Sequence, residues 1–365
     1  MSQAERLRIV VLGGAGNFGA RIVRALCSEP GVQLIAAGRR AVTVPGAPDV
    51  PTAVVDIDHP DLAAQLEALA PDLVIHCAGP FQTQDYRVAQ AALAAGSHYL
   101  DLADGREFVA GFANALNAMA LHHGRTAITG ASTLPGLSIA VIDAITAEFT
   151  TIESIQIVIA PGQLAPRGTA TLAAVFTCLG KPIALWRAGL WQTGWGWMGL
   201  RRFDLGFGKR WGALCDVPDL ALLPARYRGL QSAAFHAALE IRVQHLVLWT
   251  MAALRRVGVP LPVQKWARPL DRLASMFDSL GGKWGGMQVQ VVGSSTGGAR
   301  IHRSWTLRAP VMNGPEIPCM AAILLARRLA KGEQLAAGAF SCVGFLKLAE
   351  FAPLFARLGI TTHCV

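Results

Sequence analysis

Ile9-Val10-Val11-Leu12-Gly13-Gly14-Ala15-Gly16-Asn17-Phe18-Gly19 is the stretch on which the reading of this chain turns. Four apolar residues in a row fit a strand covered on both faces. The glycine loop after them leads into Phe18, Ile22 and Leu26, which share one face of a helix. Gly14, Gly16 and Gly19 give the spacing G-x-G-x-x-G. In that pattern the first glycine permits a tight turn, the second lets backbone approach a pyrophosphate, and the third brings helix and strand close. The helix start then offers N–H groups and a positive dipole end to an anion. Gly13, Gly16 and Gly19 also satisfy a G-x-x-G-x-x-G spacing, so Gly13, Ala15, Asn17 and Phe18 join the candidate cofactor contacts.

Working outward, the pattern repeats. Strands are expected at 7–12, 32–37, 53–56, 72–77, 98–102 and 125–130, with helical stripes at Leu62, Leu66, Leu69 and at Phe108, Phe112, Leu116, Met119 between them. Six strands with crossovers make a doubly wound parallel sheet, an α/β Rossmann domain over 1–130. The short-chain dehydrogenase alternative needs a Tyr followed four residues later by Lys. Tyr86, Tyr99 and Tyr227 are followed there by Gln90, Ala103 and Gln231.

The end of strand two selects the dinucleotide. NAD enzymes place Asp or Glu there for the ribose 2′-OH. This chain has Gly38-Arg39-Arg40, and guanidinium groups suit a 2′-phosphate. The expected cofactor is NADP. Asp56, taken to close strand three, either accepts from the adenine amino group or caps the helix begun near Pro60.

Composition narrows the classes. Of 365 residues, 52% are hydrophobic and 16% charged, which supports large cores rather than disorder. Mean hydropathy is +0.38, yet the longest charge-free stretch, 126–142, is broken by Gly130, Pro135 and Gly136, so no membrane span is expected. Seven scattered cysteines without C-x-x-C fit reduced thiols, a cytoplasmic setting and no zinc. The net charge of +9 is mostly arginine spread along the chain, unlike a nucleic-acid-binding patch.

Residues 131–315 are rich in Trp and alternate apolar with polar residues. Met287, Val289 and Val291, then Ile301, Trp305 and Leu307, flank the turn-rich 293–298, which reads as a hairpin with one buried face. Pro182–Trp191 is expected to form another. This region is read as an α+β substrate and dimerisation domain on a mainly antiparallel sheet, with a homodimer expected. Residues 316–365, beginning after Gly314-Pro315, are expected to return as helix and strand to the first domain. Segment 241–257 is either an interfacial helix, giving peripheral membrane contact, or a buried core helix, the second being preferred.

With these residues placed, the chain resembles the saccharopine dehydrogenase-like oxidoreductases. The similarity rests on V-V-L-G-G-A-G-N-F-G, on Asp72-Leu73-Val74-Ile75-His76-Cys77-Ala78-Gly79-Pro80-Phe81, on Ala95-Gly96-Ser97-His98-Tyr99-Leu100-Asp101, on 130–136 and on Gly314-Pro315. His76 departs from the family's usual Asn. The resemblance implies an NADP-binding domain with a second α/β domain, and places Ala78, Gly79, Pro80 and Phe81 beside the cofactor. A substrate with two carboxylates would call for convergent arginines, with Arg167, Arg201, Arg202 and Arg303 available.

Hydride transfer is the cofactor's chemistry, and the protein must orient a small-molecule substrate and manage a proton. Asp104 is the first candidate for that proton and Tyr99 the second, with helix capping and strand packing as their structural alternatives. Asp101 and Arg106 share the same edge, and Cys77, His98 and His302 are weaker candidates. The expected activity is oxidoreduction of a carbonyl, imine or enoyl compound. The rival readings are an NADP-binding sensor or scaffold without catalysis, and a membrane-peripheral reductase of lipids.

Overall fold

The computed structural model describes residues 6–166, 175–263 and 266–365. The chain divides into two compact units, 1–137 with 315–346, and 138–314 with 347–365. Strands and helices are numbered in chain order through both.

The first unit holds β1 (Leu7–Leu12), β2 (Val32–Gly38), β3 (Thr52–Val54), β4 (Leu73–His76), β5 (His98–Asp101), β6 (Thr126–Thr129) and β15 (Gly338–Ser341). They form one parallel sheet in the order β15-β6-β5-β4-β1-β2-β3. Parallel strands need crossovers, supplied by α1 (Gly19–Leu26), α2 (Leu62–Glu67), α3 (Arg87–Ala94) and α4 (Arg106–His122), with α9 (Met320–Ala330) preceding β15. Ile9 through Leu12 and Leu73 through Ile75 are fully buried, as their unbroken apolar runs require. The order reverses between β1 and β4, which is where ligands bind in such sheets.

The second unit is built on a nine-stranded, mainly antiparallel sheet. Its order is β10 (Arg201–Asp204), β11 (Lys209–Leu214), β12 (Ser232–Leu239), β7 (Phe149–Ala160), β13 (Trp284–Ser295), β14 (Arg300–Pro310) and β16 (Thr361–Cys364). β12 and β7 pair in parallel. The hairpin β8 (Pro182–Arg187) and β9 (Leu190–Trp195) attaches to β12, and the expected hairpin of β13 and β14 pairs Gln288 with Thr306. Its helices are α5 (Ser138–Ile145), α6 (Asp219–Arg226), α7 (Arg242–Arg256), α8 (Ala267–Ser275) and α10 (Leu348–Arg357).

Two features differ from the sequence reading. The tail expected to return to the first domain does so through β15, but 347–365 lies in the second unit, where β16 pairs with β14. A short polar strand such as Thr361–Cys364 carries no signal of which sheet edge it completes. Segment 241–257 is a helix, yet it is not a core helix. His245, Met251 and Ala252 are buried, while Val243, Leu246, Val247 and Leu254 are exposed. The apolar residues of this window occupy two faces, and periodicity alone cannot say which one packs. Among the described residues, no helix is long and apolar enough to cross a membrane.

Candidate functional site

The glycine loop leaves β1 with Gly13 in the left-handed region at φ 75°. Its N–H and that of Gly14 both donate to the Ala37 carbonyl, at 2.7 and 3.1 Å, which locks the turn onto β2. Each glycine answers to a different neighbour. A Cβ on Gly14 would sit 2.8 Å from the Ala36 Cβ, and one on Gly19 would sit 2.2 Å from the Gly13 carbonyl oxygen. A Cβ on Gly16 would meet only that same oxygen, at 3.0 Å, and otherwise points into open space. The tight turn assigned to Gly14 is therefore made by Gly13, and Gly14 keeps β2 close. Of the three motif glycines, Gly16 is the one that leaves open space beside the main chain.

No side chain caps the start of α1. The Asn17 amide oxygen accepts from Arg21 at 2.7 Å, and Arg21 in turn pairs with Glu316 at 3.2 Å. A cleft of about 610 Å³ opens here, with Gly13, Ala15 and Gly16 on one wall and Gly38, Arg39 and Arg40 on another. Both arginines are exposed, and neither has an ion-pair partner among the described residues. The sequence reading placed these groups on separate elements, and the fold brings them to one cleft. A loop that a Cβ would fill, facing two uncommitted guanidinium groups, fits a dinucleotide with an extra phosphate.

Asp56 lies two residues beyond the end of β3 rather than closing it. Its carboxylate accepts from the Asp58 N–H at 3.2 Å, forming a local turn, while α2 starts only at Leu62. The capping alternative is thus not realised, because the chain turns before the helix begins.

Across the strand reversal, Ala78 N would lie 3.1 Å from a Cβ on Gly13, so this loop borders the glycine turn. Gln84 holds it. The Gln84 amide donates to the carbonyls of Ala78 at 2.7 Å and Pro80 at 3.3 Å. Its oxygen therefore accepts from His76 Nε2 at 2.9 Å, which fixes the neutral tautomer of that imidazole. His76 is fully buried, and burial pulls its pKa down to about 4 against the Gln84 bond. His76 and Gln84 form a clamp that sequence reasoning missed. A histidine in place of asparagine was its signal, but the partner eight residues on was not visible. Phe81 belongs to the same loop, yet its ring turns inward against His76 at 5.0 Å and Phe108 at 5.5 Å. Its cofactor contact is left to main chain.

Tyr99 does not fit the catalytic role expected of it. It is fully buried and stacks on Phe112 at 5.9 Å, with its pKa raised by burial and by the Asp101 charge. An alternating strand position next to Asp101 faces the interior, which is its packing alternative. Asp101 is also fully buried. Its Oδ1 accepts from the N–H of Ala103 (2.9 Å) and Gly130 (2.7 Å) and from Thr129 Oγ1 (2.8 Å), tying β5 to β6, and burial raises its pKa to about 6. Asp104 differs from both. It is half-buried, accepts from Gln82 Nε2 at 3.0 Å, and its pKa is raised by burial against that bond. It does not cap α4, whose N-cap is Gly105. Of the predicted pair, only Asp104 presents a carboxyl at the carboxyl edge of the sheet.

The remaining candidates are structural. Burial pushes the Cys77 thiol well up, away from a nucleophile. His98 Nδ1 accepts from the Thr126 N–H at 3.1 Å. His302 is exposed on β14. Arg303 pairs with Glu148 at 3.1 Å, and four strands separate β14 from the β10 that carries Arg201 and Arg202, roughly 24 Å. These arginines do not converge, and Arg167 lies outside the described residues.

Residues 9–128 match the model of the saccharopine dehydrogenase NADP binding domain. No curated protein matches the chain in sequence. Among solved structures, apo saccharopine dehydrogenase (L-Glu forming) from Saccharomyces cerevisiae is similar with TM-score 0.66 at 12% identity, covering 98% of this chain and 99% of that one. Homospermidine synthase from Legionella pneumophila, in complex with NAD, gives 0.64 at 11%, covering 99% and 92%. DAP dehydrogenase from C. glutamicum gives 0.51 at 17%, covering 96% and 99%. At such identities the likeness is one of fold. The motif, the sheet order and the family match agree, and the first unit of this chain is an NADP-binding domain of the saccharopine dehydrogenase-like family.

Proposed function

We propose that this chain is an NADP-dependent oxidoreductase acting on a carbonyl, imine or enoyl group of a small molecule. One observation carries the reading: the glycine turn and the guanidinium groups of Arg39 and Arg40 line the same cleft. When bound, NADP(H) supplies or accepts the hydride. Gly13, Gly14 and Gly16, whose N–H groups are spent on the Ala37 and Gly13 carbonyls, shape the turn, and the Ala15 N–H with those at the α1 start would hold the pyrophosphate. Arg39 and Arg40 grip the 2′-phosphate, and Asp56 borders the adenine. The Ala78-Gly79-Pro80 main chain, braced by Gln84 and His76, forms the border toward the nicotinamide. Asp104, raised by burial, holds or receives the proton at its carboxyl oxygen.

The test has two stages. Titration with NADPH and NADH should show at least about tenfold preference for NADPH, since a charge-assisted hydrogen bond contributes roughly 1.5–3 kcal/mol. Replacing both Arg39 and Arg40 with Ala should remove that preference, and equal affinity in the wild type refutes it. A panel of aldehydes, imines and enoyl compounds, followed by NADPH absorbance, then separates enzyme from sensor. Tight cofactor binding with no turnover on any of them favours the sensor.

A further inference from the structure

Helix α7 presents its apolar stripe outward. Val243, Leu246, Val247, Leu254 and Val257 recur at i, i+3, i+4, i+11 and i+14, which gathers them on one stripe about 100° wide. A stripe of that kind ordinarily packs on the core. Here all five residues are exposed, Val243 at 55% and Val257 at 76%. The opposite face is the one the unit buries. His245 and Ala252 are fully buried there, and Arg255 donates to the carbonyls of Leu179 at 2.6 Å and Phe176 at 3.4 Å. These contacts fix the rotation of the helix, so the stripe cannot turn inward.

The bare surface continues onto α8. Gln244 donates to the Ala274 carbonyl at 3.1 Å, and Val243, Val247 and Leu273 line one groove between the two helices. Trp266, Leu273, Met276 and Leu280 are exposed on and around α8. Of the nineteen large apolar side chains exposed among the described residues, ten lie between 243 and 280, so this surface is gathered rather than scattered. Gathered apolar surface of this kind marks a place of contact.

Charge says what covers it. Residues 240–283 hold seven basic and three acidic side chains. Two of the acids are already engaged: Glu240 pairs with Arg210 at 3.1 Å, and Asp278 accepts from Gln163 at 2.8 Å. Arg242 and Arg256, at the two ends of α7, and Arg272, next to Leu273, are exposed. A second copy laid face to face brings the same positive surplus against this one. Anionic lipid headgroups supply the complement instead, while the acyl boundary receives the apolar side chains and the long arginine stems reach back to the headgroups. We propose that the α7–α8 face docks on the surface of an anionic phospholipid bilayer, with α7 lying in the plane of the interface. The 15 residues of α7 are too few to span one. The face belongs to the second unit alone and binding there needs no nucleotide, so its failure leaves the oxidoreductase reading intact.

The test floats the full chain with vesicles of phosphatidylcholine, and with vesicles of equal parts phosphatidylcholine and phosphatidylglycerol, at low and high salt. The wild type should float with the mixed vesicles at low salt and lose most of that binding on the pure ones or at high salt. Leu246→Gln with Leu254→Gln should weaken binding about tenfold or more, and Val257→Gln with Met276→Gln should do the same if the first pair does not fold. Arg242→Gln with Arg272→Gln should weaken it about thirtyfold on the mixed vesicles alone. Val54→Gln with Leu121→Gln, exposed apolar positions of the first unit, should float as the wild type does, which separates this face from general attraction of a basic protein. Absence of flotation with the mixed vesicles overturns the proposal. So does wild-type flotation by the folded apolar variants. Sedimentation equilibrium identifies the other occupant: a dimer that Leu246→Gln with Leu254→Gln turns into monomer assigns the face to a second copy, and overturns the proposal as well.

Discussion

Gly16 and Gly19 differ by three positions in one motif, and the structure separates what each does. Gly19→Ala puts a Cβ 2.2 Å from the Gly13 oxygen and 2.9 Å from the Gly14 Cα, all of it main chain in the turn. The start of α1 must retreat until the first of these reaches an ordinary 3.4 Å or more. Overpacking of that kind costs about 1–3 kcal/mol, which lowers the melting temperature of a unit this size by roughly 2–12 °C. Gly16→Ala meets one oxygen at 3.0 Å, which yields by a few tenths of an ångström, so the fold should hold its melting temperature to within about 2 °C. Its methyl group instead stands where the pyrophosphate approaches. Losing one charge-assisted hydrogen bond there weakens NADPH binding about tenfold to a hundredfold. Differential scanning calorimetry and an NADPH titration on the two variants are sufficient. A Gly16→Ala protein with wild-type affinity, or a Gly19→Ala protein that melts as the wild type does, refutes the division of roles.

Other expectations are open to direct measurement. Asp104→Asn should keep NADPH affinity to within about twofold and reduce turnover of any substrate found by about 10²-fold or more, as measured by steady-state kinetics. In the second unit, burial pulls His236 and His245 down to about 4 and pushes Asp219 up to about 7. The lowered imidazoles stabilise the fold above pH 6.5 and lose that contribution as pH falls toward 4, whereas the raised carboxyl stabilises it at low pH and loses this as pH rises through 7. Between about pH 4.5 and 6, unfolding takes up two protons and releases one, so stability should fall by about 1.4 kcal/mol per pH unit on acidification. All nine tryptophans lie in this unit, so denaturation read by their fluorescence reports it. Asp219→Asn should steepen that slope to about two protons, and an unchanged slope contradicts the assignment. Ala188 sits at φ 51° before Gly189 at φ 72°, a two-residue turn joining β8 to β9. Ala188→Asn, which tolerates this conformation, should raise the melting temperature by about 1–4 °C.

Much of the first unit was legible because its signals are local. An unbroken apolar run such as Ile9–Leu12 leading into a glycine loop reads as a doubly covered strand, and Gly19 is required by contacts with Gly13 and Gly14 in the same turn. Arg39 and Arg40 come to that loop because β2 pairs in parallel with β1, so both segments leave the sheet at the same edge. Legibility failed where the partner is distant or where a face must be chosen. Tyr99 and Asp104 both lie near the end of β5, but strand alternation buries one completely and a turn leaves the other half-buried. His76 found its role only through Gln84, and the arginines of the second unit were scattered by a strand order that no residue announces.

By itself, the order of residues determined a Rossmann sheet, the turn that receives a pyrophosphate and the cationic end of the second strand, since each arises from chain neighbours and from the period of side-chain burial. Tertiary structure alone decided which polar groups are sealed inside and which helix face α7 leaves bare. Those outcomes depend on burial and on contacts between residues far apart in the chain, and these come into being only when the chain closes on itself.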